Sequence, residues 1–71
     1  MTNRVENIGK NIKKYRKIQQ LPQIELAVTV GIDRAYLSEI ENGRTNPSIN
    51  ILYAIADALQ INITELFKPA E

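Results

Sequence analysis

Four residues that bend or break a helix, Pro22, Gly31, Gly43 and Pro47, punctuate the middle of this chain and confine it to short segments. Pro22 stands where a helix can begin, because the N–H it lacks is one of the first-turn donors that have no intrahelical partner. The next segment, QIELAVTV, is then a helix of about two turns. Gly31 suits a tight turn, since no Cβ resists a positive φ. Asp33 is placed to cap the following helix by accepting from its free amides, and that helix is predicted to end at Gly43. The loop RTNP comes next, where Pro47 keeps the residue before it out of the helical region.

The second of these helices does not read as a purely buried one. With Arg34 at 0° and about 100° of rotation per residue, Tyr36 falls at about 200°, Ile40 at about 240° and Leu37 at about 300°. These form one apolar stripe roughly a third of the circumference wide. The opposite arc carries Arg34, Ala35, Ser38, Glu39 and Asn42, small or hydrogen-bonding residues rather than the long Lys and Glu chains of an ordinary wet face. Pattern alone leaves two readings open, a solvated face and a recognition face.

Elsewhere the apolar spacing is also helical. Val5, Ile8, Ile12 and Tyr15 predict a first helix over about residues 4–18. Ser48 is placed to cap a fourth helix whose buried stripe is Ile51, Leu52, Ile55 and Leu59. Asn62 and Glu65 have capping-box spacing ahead of Leu66 and Phe67, which predicts a short fifth helix. The expectation is an all-α fold of five helices in a single domain over residues 1–71, with no strand.

Composition removes several classes of function. The 71 residues include neither cysteine nor histidine, so no disulfide frame, thiol chemistry or ordinary metal site is expected, and no cofactor. An enzyme would need a nucleophile–base pair, a metal set or a phosphate loop, and none has a recognisable arrangement here. No small-molecule ligand is expected. The apolar runs are too short to span a membrane and the N-terminus is polar, which predicts a cytoplasmic protein without membrane contact. A formal net charge of +1 conceals an asymmetry: Arg4, Lys10, Lys13, Lys14, Arg16 and Lys17 crowd the first quarter of the chain. This distribution is compatible either with a polyanion or with a solvated helix face.

Two short helices joined by a glycine turn, the second with a polar outward arc, are the parts of a helix-turn-helix, here over about residues 23–42. Ala27 supplies a small residue at the crossing, Gly31 the turn, and Leu37 and Ile40 the anchors to the core. From Ile8 to Phe67 the chain resembles the lambda-repressor-like, Cro/CI (XRE-type) helix-turn-helix family. The segments IGKNIKKYRK, LPQIELA, GIDRAYLSEIENGRTNPS and ILYAIADALQINITELF carry that resemblance in order. The stretch DRAYLSEIENGRTNPS also resembles the small controller proteins of restriction–modification systems.

The resemblance implies a transcriptional regulator, a repressor or autoregulator, that binds double-stranded DNA as a homodimer on a pseudo-palindromic site. It implies a phosphate contact for Gln23, and base-edge contacts from Arg34, Ala35, Ser38 and Glu39. Asn42 and Arg44 match a phosphate-holding loop that includes the backbone to Thr45. Asp33 and Tyr36 complete the expected DNA-facing set. Arg16 and Glu41 match a partly buried ion pair joining helices one and three. Two features depart from the family pattern. Pro22 replaces the usual Ser or Thr cap, and Asp33 and Glu39 set carboxylates close to the DNA surface, which predicts modest sequence-independent affinity.

Ile61, Ile63, Leu66 and Phe67 place more apolar surface at the C-terminal end than one short helix can bury, so an isologous dimer interface is expected there. With so few residues beyond Phe67, regulation is expected to follow concentration and dimerisation. The competing reading is an antitoxin or another protein-interaction module on the same helical fold, which partner capture without salt-dependent DNA binding would reveal.

Overall fold

The structure is a computed structural model that describes residues 3–70. Five helices follow one another: α1 over Arg4–Ile18, α2 over Gln23–Val30, α3 over Arg34–Glu41, α4 over Ile49–Leu59 and α5 over Thr64–Phe67. Among the described residues there is no strand, and no helix is long and apolar enough to cross a membrane.

Helix boundaries follow short-range chemistry, with three corrections. Asn3 caps α1 by accepting from the amides of Val5 and Glu6 at 2.9 and 3.3 Å, and Ser48 caps α4 by accepting from Ile51 at 3.2 Å. Pro22 sits at the N-cap of α2, where its carbonyl receives the amides of Glu25 and Leu26. Asp33 holds the N-cap position of α3 in extended geometry but makes no side-chain capping bond, so the expected Asp33 cap is absent. The expected capping box before α5 is only half made. Asn62 accepts from the Thr64 amide at 2.9 Å, while Glu65 turns away to accept from the Tyr15 hydroxyl at 2.7 Å. Helix α3 also stops at Glu41, short of Gly43.

Helix ends share one device. At Gly31, Gly43, Gln20 and Gln60 the backbone enters the left-handed region, with φ of 86°, 71°, 55° and 57°. After α1 the Leu21 amide returns to the Arg16 carbonyl, after α2 Ile32 to Ala27, and after α4 Ile61 to Ala56. These are the bonds that satisfy last-turn carbonyls. Glycine enters that region freely, whereas the two glutamines do so against a steric cost of about 1–2 kcal/mol each.

Ile8, Ile12, Leu26, Ala27, Leu37, Ile40, Leu52, Ile55, Ala56, Leu59 and Leu66 form one core cluster. On α4 the buried stripe is Leu52, Ile55, Ala56 and Leu59; Ile51 is half-buried beside it, and Ala56 takes the place expected of Ile51. Leu66 is 0% exposed and completes this core from below.

Helix α1 organises the rest from two sides. At Gly9 it crosses α3 so closely that an added Cβ would collide with the carbonyl oxygen of Ile40 and stand 2.7 Å from that of Glu41. An added Cβ on Gly43 would stand 2.8 Å from the Cα of Glu6, so the turn after α3 lies on the start of α1. On its other side α1 carries Asn7, Asn11 and Tyr15, a row at i, i+4 and i+8 that the C-cap residue Gln19 continues. Asn7 donates to the Lys68 carbonyl at 2.8 Å and accepts from the Ala70 amide at 2.6 Å. Asn11 donates to the carbonyls of Leu66 and Lys68 at 2.9 and 2.7 Å, and Gln19 to that of Leu59 at 2.6 Å. The C-terminal segment is thus hydrogen-bonded antiparallel along α1.

Candidate nucleic-acid interface

Helices α2 and α3 meet through the Gly31 turn, and the buried Leu26, Ala27, Leu37 and Ile40 fix their relative placement. Once Leu37 and Ile40 face the core, the pitch of α3 turns Arg34, Ala35 and Glu39 to solvent, with Ser38 half-buried between them. Tyr36, expected on the DNA-facing set, is half-buried and packs against the core, so it serves the apolar stripe first. Asp33 is exposed at the start of the helix and Asn42 at its end. Asn42 donates to the Ser38 hydroxyl at 3.4 Å. Arg44 is exposed and Thr45 half-buried in the turn that follows Gly43.

Behind this surface lies the ion pair. Arg16 Nε donates to Glu41 Oε2 at 2.7 Å and one terminal nitrogen to Oε1 at 3.0 Å, while the other donates to the Leu21 carbonyl at 3.0 Å. The two side chains are 12% and 2% exposed. The fork geometry satisfies both carboxylate oxygens, which lets a carboxylate sit at such depth. Gln23 at the first position of α2 adds a donor to Glu41 Oε1 at 3.2 Å. Its own carbonyl oxygen accepts from Arg34 at 3.3 Å. A continuous chain therefore runs from Arg16 through Glu41 and Gln23 to Arg34 on the outer face of α3.

Pro22 leaves α2 without a side-chain cap, and α3 has none either, so the first-turn amides of both helices face outward unclaimed by side chains. Such amides attract anions. The local charge is mixed: Arg34 and Arg44 are positive, and Asp33 and Glu39 negative. Of the six basic residues near the N-terminus, Arg16 is committed to Glu41, and the Lys14 ammonium stands 5.4 Å from the centre of the Tyr15 ring, beside the C-terminal segment.

The four residues expected at a dimer interface separate. Leu66 is fully buried in the protomer's own core and offers no surface, which removes it from that set. Ile61 and Ile63 are half-buried, and Phe67 is 47% exposed. Phe67 lines an open cleft with Arg4, Asn7, Ile8 and Pro69. Nearby, Tyr15, Glu65 and Lys68 form a small polar cluster, with Lys68 donating to Glu65 at 2.6 Å. The hydrogen bonds from Lys68 and Tyr15 hold the Glu65 carboxyl below the usual carboxylate range. In turn the bond to Glu65 raises the Tyr15 hydroxyl and the Lys68 ammonium above their ordinary values.

Sequence reasoning missed three residues that matter for this geometry, Asn7, Gly9 and Asn11. Gly9 lies under the backbone of α3, and Asn7 and Asn11 are buried polar residues. Their i, i+4 spacing on the edge of an apolar stripe is the only signal that they share a buried row.

Comparison with known proteins bears on this geometry. The HTH_3 family, described as helix-turn-helix, matches residues 12–66. The immunity repressor protein of Bacillus phage phi105 is 41% identical over 59 residues, which span 83% of this chain and 41% of that protein. The chain therefore covers less than half the length of this curated relative. The restriction–modification controller protein C.AhdI from Aeromonas hydrophila superposes with a TM-score of 0.86 at 33% identity, covering 89% of this chain and 96% of that one. The biofilm regulator SinR, solved in complex with DNA, superposes with a TM-score of 0.76 at 42% identity, covering 83% and 95%.

Proposed function

Because this chain belongs to the HTH_3 helix-turn-helix family, we propose that it is a sequence-specific DNA-binding transcriptional regulator acting in the cytoplasm. The observation that carries the reading is the outward arc of α3, where Arg34, Ala35 and Glu39 are exposed while the opposite side of the same helix is sealed into the core. In this reading α3 enters the major groove. Arg34, near its amino end, has the reach and the fork of donors to bond guanine O6 and N7 together. Glu39 accepts from cytosine N4 and Ser38 bonds a base edge. Gln23, Asn42, Arg44 and Thr45 lie around the rim, where contacts to the DNA backbone fix register without reading sequence. Asp33 tempers attraction to any duplex. The identity shared with a protein solved on DNA supports this assignment.

Ile61, Ile63 and Phe67 form the surface through which two protomers pair, without Leu66. A twofold axis there sets the two α3 helices toward successive major grooves, with half-sites about 34–36 Å apart. The chemistry of the site is recognition rather than catalysis.

Selection of a binding site from randomised duplex DNA, followed by salt titration on single-base variants, tests the reading. Arg34→Ala is expected to lose about 1–3 kcal/mol and relax preference at one base pair. Arg44→Ala is expected to weaken all duplexes alike and reduce the salt slope by about one. Glu39→Gln is expected to bind random DNA more tightly while discriminating less at its own position. No selected site, or unchanged preference in both Arg34→Ala and Glu39→Gln, would sink it. Sedimentation that shows only monomer at high concentration, together with footprints lacking dyad symmetry, would remove the dimer.

A further inference from the structure

We propose that Asn42 is a site of spontaneous chemical modification. Its side chain deamidates through attack by the Gly43 backbone nitrogen, at a rate set by how often the turn after α3 opens, and the resulting carboxylate weakens DNA binding. The loss of binding rests on the rim position proposed for Asn42; the modification itself does not.

An asparagine amide is lost when the backbone nitrogen of the next residue reaches its Cγ, and a side chain on that next residue screens the nitrogen. Six of the seven asparagines precede Arg4, Ile8, Ile12, Pro47, Ile51 and Ile63, the proline having no N–H at all. Asn42 alone precedes a glycine, and it is exposed. In the closed turn the reaction is blocked. Asn42 has φ of -91° and ψ of 4°. The Gly43 nitrogen therefore eclipses the backbone nitrogen of Asn42 rather than its Cβ, and a five-membered ring cannot close. The Gly43 N–H also donates to the Ile40 carbonyl at 3.1 Å, and the Arg44 amide to that of Glu39 at 2.9 Å. The side-chain amide is held more loosely, by its donation to the Ser38 hydroxyl at 3.4 Å. Releasing the two backbone bonds frees both the nucleophile and the rotation that brings it to Cγ, so the rate follows local opening.

In the opened turn the Gly43 nitrogen, its proton taken by hydroxide, forms a bond to Asn42 Cγ. The Cγ–Nδ2 bond then breaks and ammonia leaves. Water opens the cyclic imide at either carbonyl, which leaves aspartate or isoaspartate at position 42. An amide and water have become a carboxylate and ammonium, with nothing oxidised or reduced. Both products set a negative charge two residues from Arg44, against the phosphates that this rim is proposed to meet. Isoaspartate also lengthens the main chain by one carbon. That disturbs the seat of Gly43 on α1, where even an added Cβ would stand 2.7 Å from Glu6 Cγ.

The test incubates the full chain at mildly alkaline pH, alone and with an excess of a duplex selected from a randomised pool, beside a peptide of residues 40–46. Acidic products are separated by charge and located by peptide mass mapping. One product at Asn42 is expected, absent from Asn42→Gln, whose longer side chain needs a six-membered ring. The protein is expected to react about tenfold or more slowly than the peptide, by a factor no smaller than the hydrogen-exchange protection of the Gly43 amide. Saturating duplex is expected to slow it about tenfold further, because bound DNA holds the turn closed. Asn42→Asp, shown to be folded by a thermal melt, is expected to weaken all duplexes about tenfold, with parental base preference and a salt slope reduced by about one.

A first acidic product at another asparagine, or none at Asn42 while the peptide reacts, overturns the site. Reaction as fast in the protein as in the peptide overturns its control by the turn. A duplex that binds but leaves the rate unchanged, or Asn42→Asp binding as tightly as the parent, overturns the link to DNA. If the parent binds no duplex, the regulator reading falls and the link to DNA falls with it. The site and its control by the turn are then decided by the DNA-free protein alone.

Discussion

Helix α1 holds the recognition helix and the C-terminal segment by opposite means. Against α3 the contact is backbone on backbone at Gly9, sealed by one ion pair whose carboxylate is almost wholly buried. Against residues 59–70 it is a row of side chains, Asn7, Asn11, Tyr15 and Gln19, each bonded to the facing chain. At the first joint the two helical backbones meet directly, so closeness is limited by side-chain bulk, and glycine removes it. The second faces the end of α4 and the four-residue α5, whose carbonyls have no helical partner and need donors brought to them. A rigid joint thus backs the surface proposed to read DNA, and a hydrogen-bonded one backs the surface proposed to pair protomers.

The largest expected effect breaks the first joint. Glu41→Ala leaves the Arg16 guanidinium without its carboxylate in a nearly closed site, and is expected to cost about 3–5 kcal/mol by chemical denaturation. For a small domain whose total stability is about 5–15 kcal/mol, that shows as a large fall in melting temperature. A loss below about 1 kcal/mol would mean that the pair is solvated and the joint is not rigid.

Gly9→Ala probes the same joint without touching charge. The added methyl must push α1 and α3 apart, at an expected cost of about 1–3 kcal/mol. In an exposed helix interior the same change would stabilise by about 1 kcal/mol. The sign of the effect therefore decides whether the close approach governs this position.

Asn11→Ala breaks the second joint by leaving the Leu66 carbonyl without its side-chain donor and the Lys68 carbonyl with Asn7 alone. The expected cost is about 1–3 kcal/mol. Hydrogen exchange should quicken over residues 64–70 while the amides of α2 and α3 keep their protection. Loss of protection spread evenly over the molecule would show that the two joints are one cooperative unit.

The smallest effect concerns pH. Glu65 has a depressed folded value, so the stability it contributes is fully present above the usual carboxylate range and is lost as pH falls through that lower value. Carboxyl carbon titration by NMR should find Glu65 below ordinary glutamates. Lys68→Met should raise it more than Tyr15→Phe, because the Lys68 bond is the larger cause. Equal shifts in the two variants, or a larger one in Tyr15→Phe, would contradict that order.

Much of the architecture is legible in the sequence. The bounds of α2, the cap at Ser48 and the turn at Gly31 follow from residues that act within one turn of themselves. The Gln20 and Gln60 turns were not readable, because glutamine has no preference for positive φ and enters it only where surrounding packing compels it. Asp33 shows the reverse case, a good capping residue at the capping position whose side chain leaves the amides free. For the candidate site, the outward arc of α3 followed from periodicity alone. The amide orientation of Gln23 did not, since it depends on Glu41, 18 positions away in sequence.

What the sequence determined by itself is therefore local: five helical segments, their punctuation, and the stripe that each turns inward. Helix propensity, capping and apolar periodicity all operate over distances the chain fixes covalently, so they survive without knowledge of neighbours. Tertiary structure alone decided which polar residues are buried and which apolar ones are core. Asn11 is buried because carbonyls 55 and 57 residues later arrive over it. Leu66 left the expected dimer surface because the same row draws the segment carrying it down onto α1, where the core is still open to a leucine. A wheel drawn on one helix can mark a face as apolar or polar; whether that face meets water, a carbonyl or another helix depends on chain that lies far along the sequence.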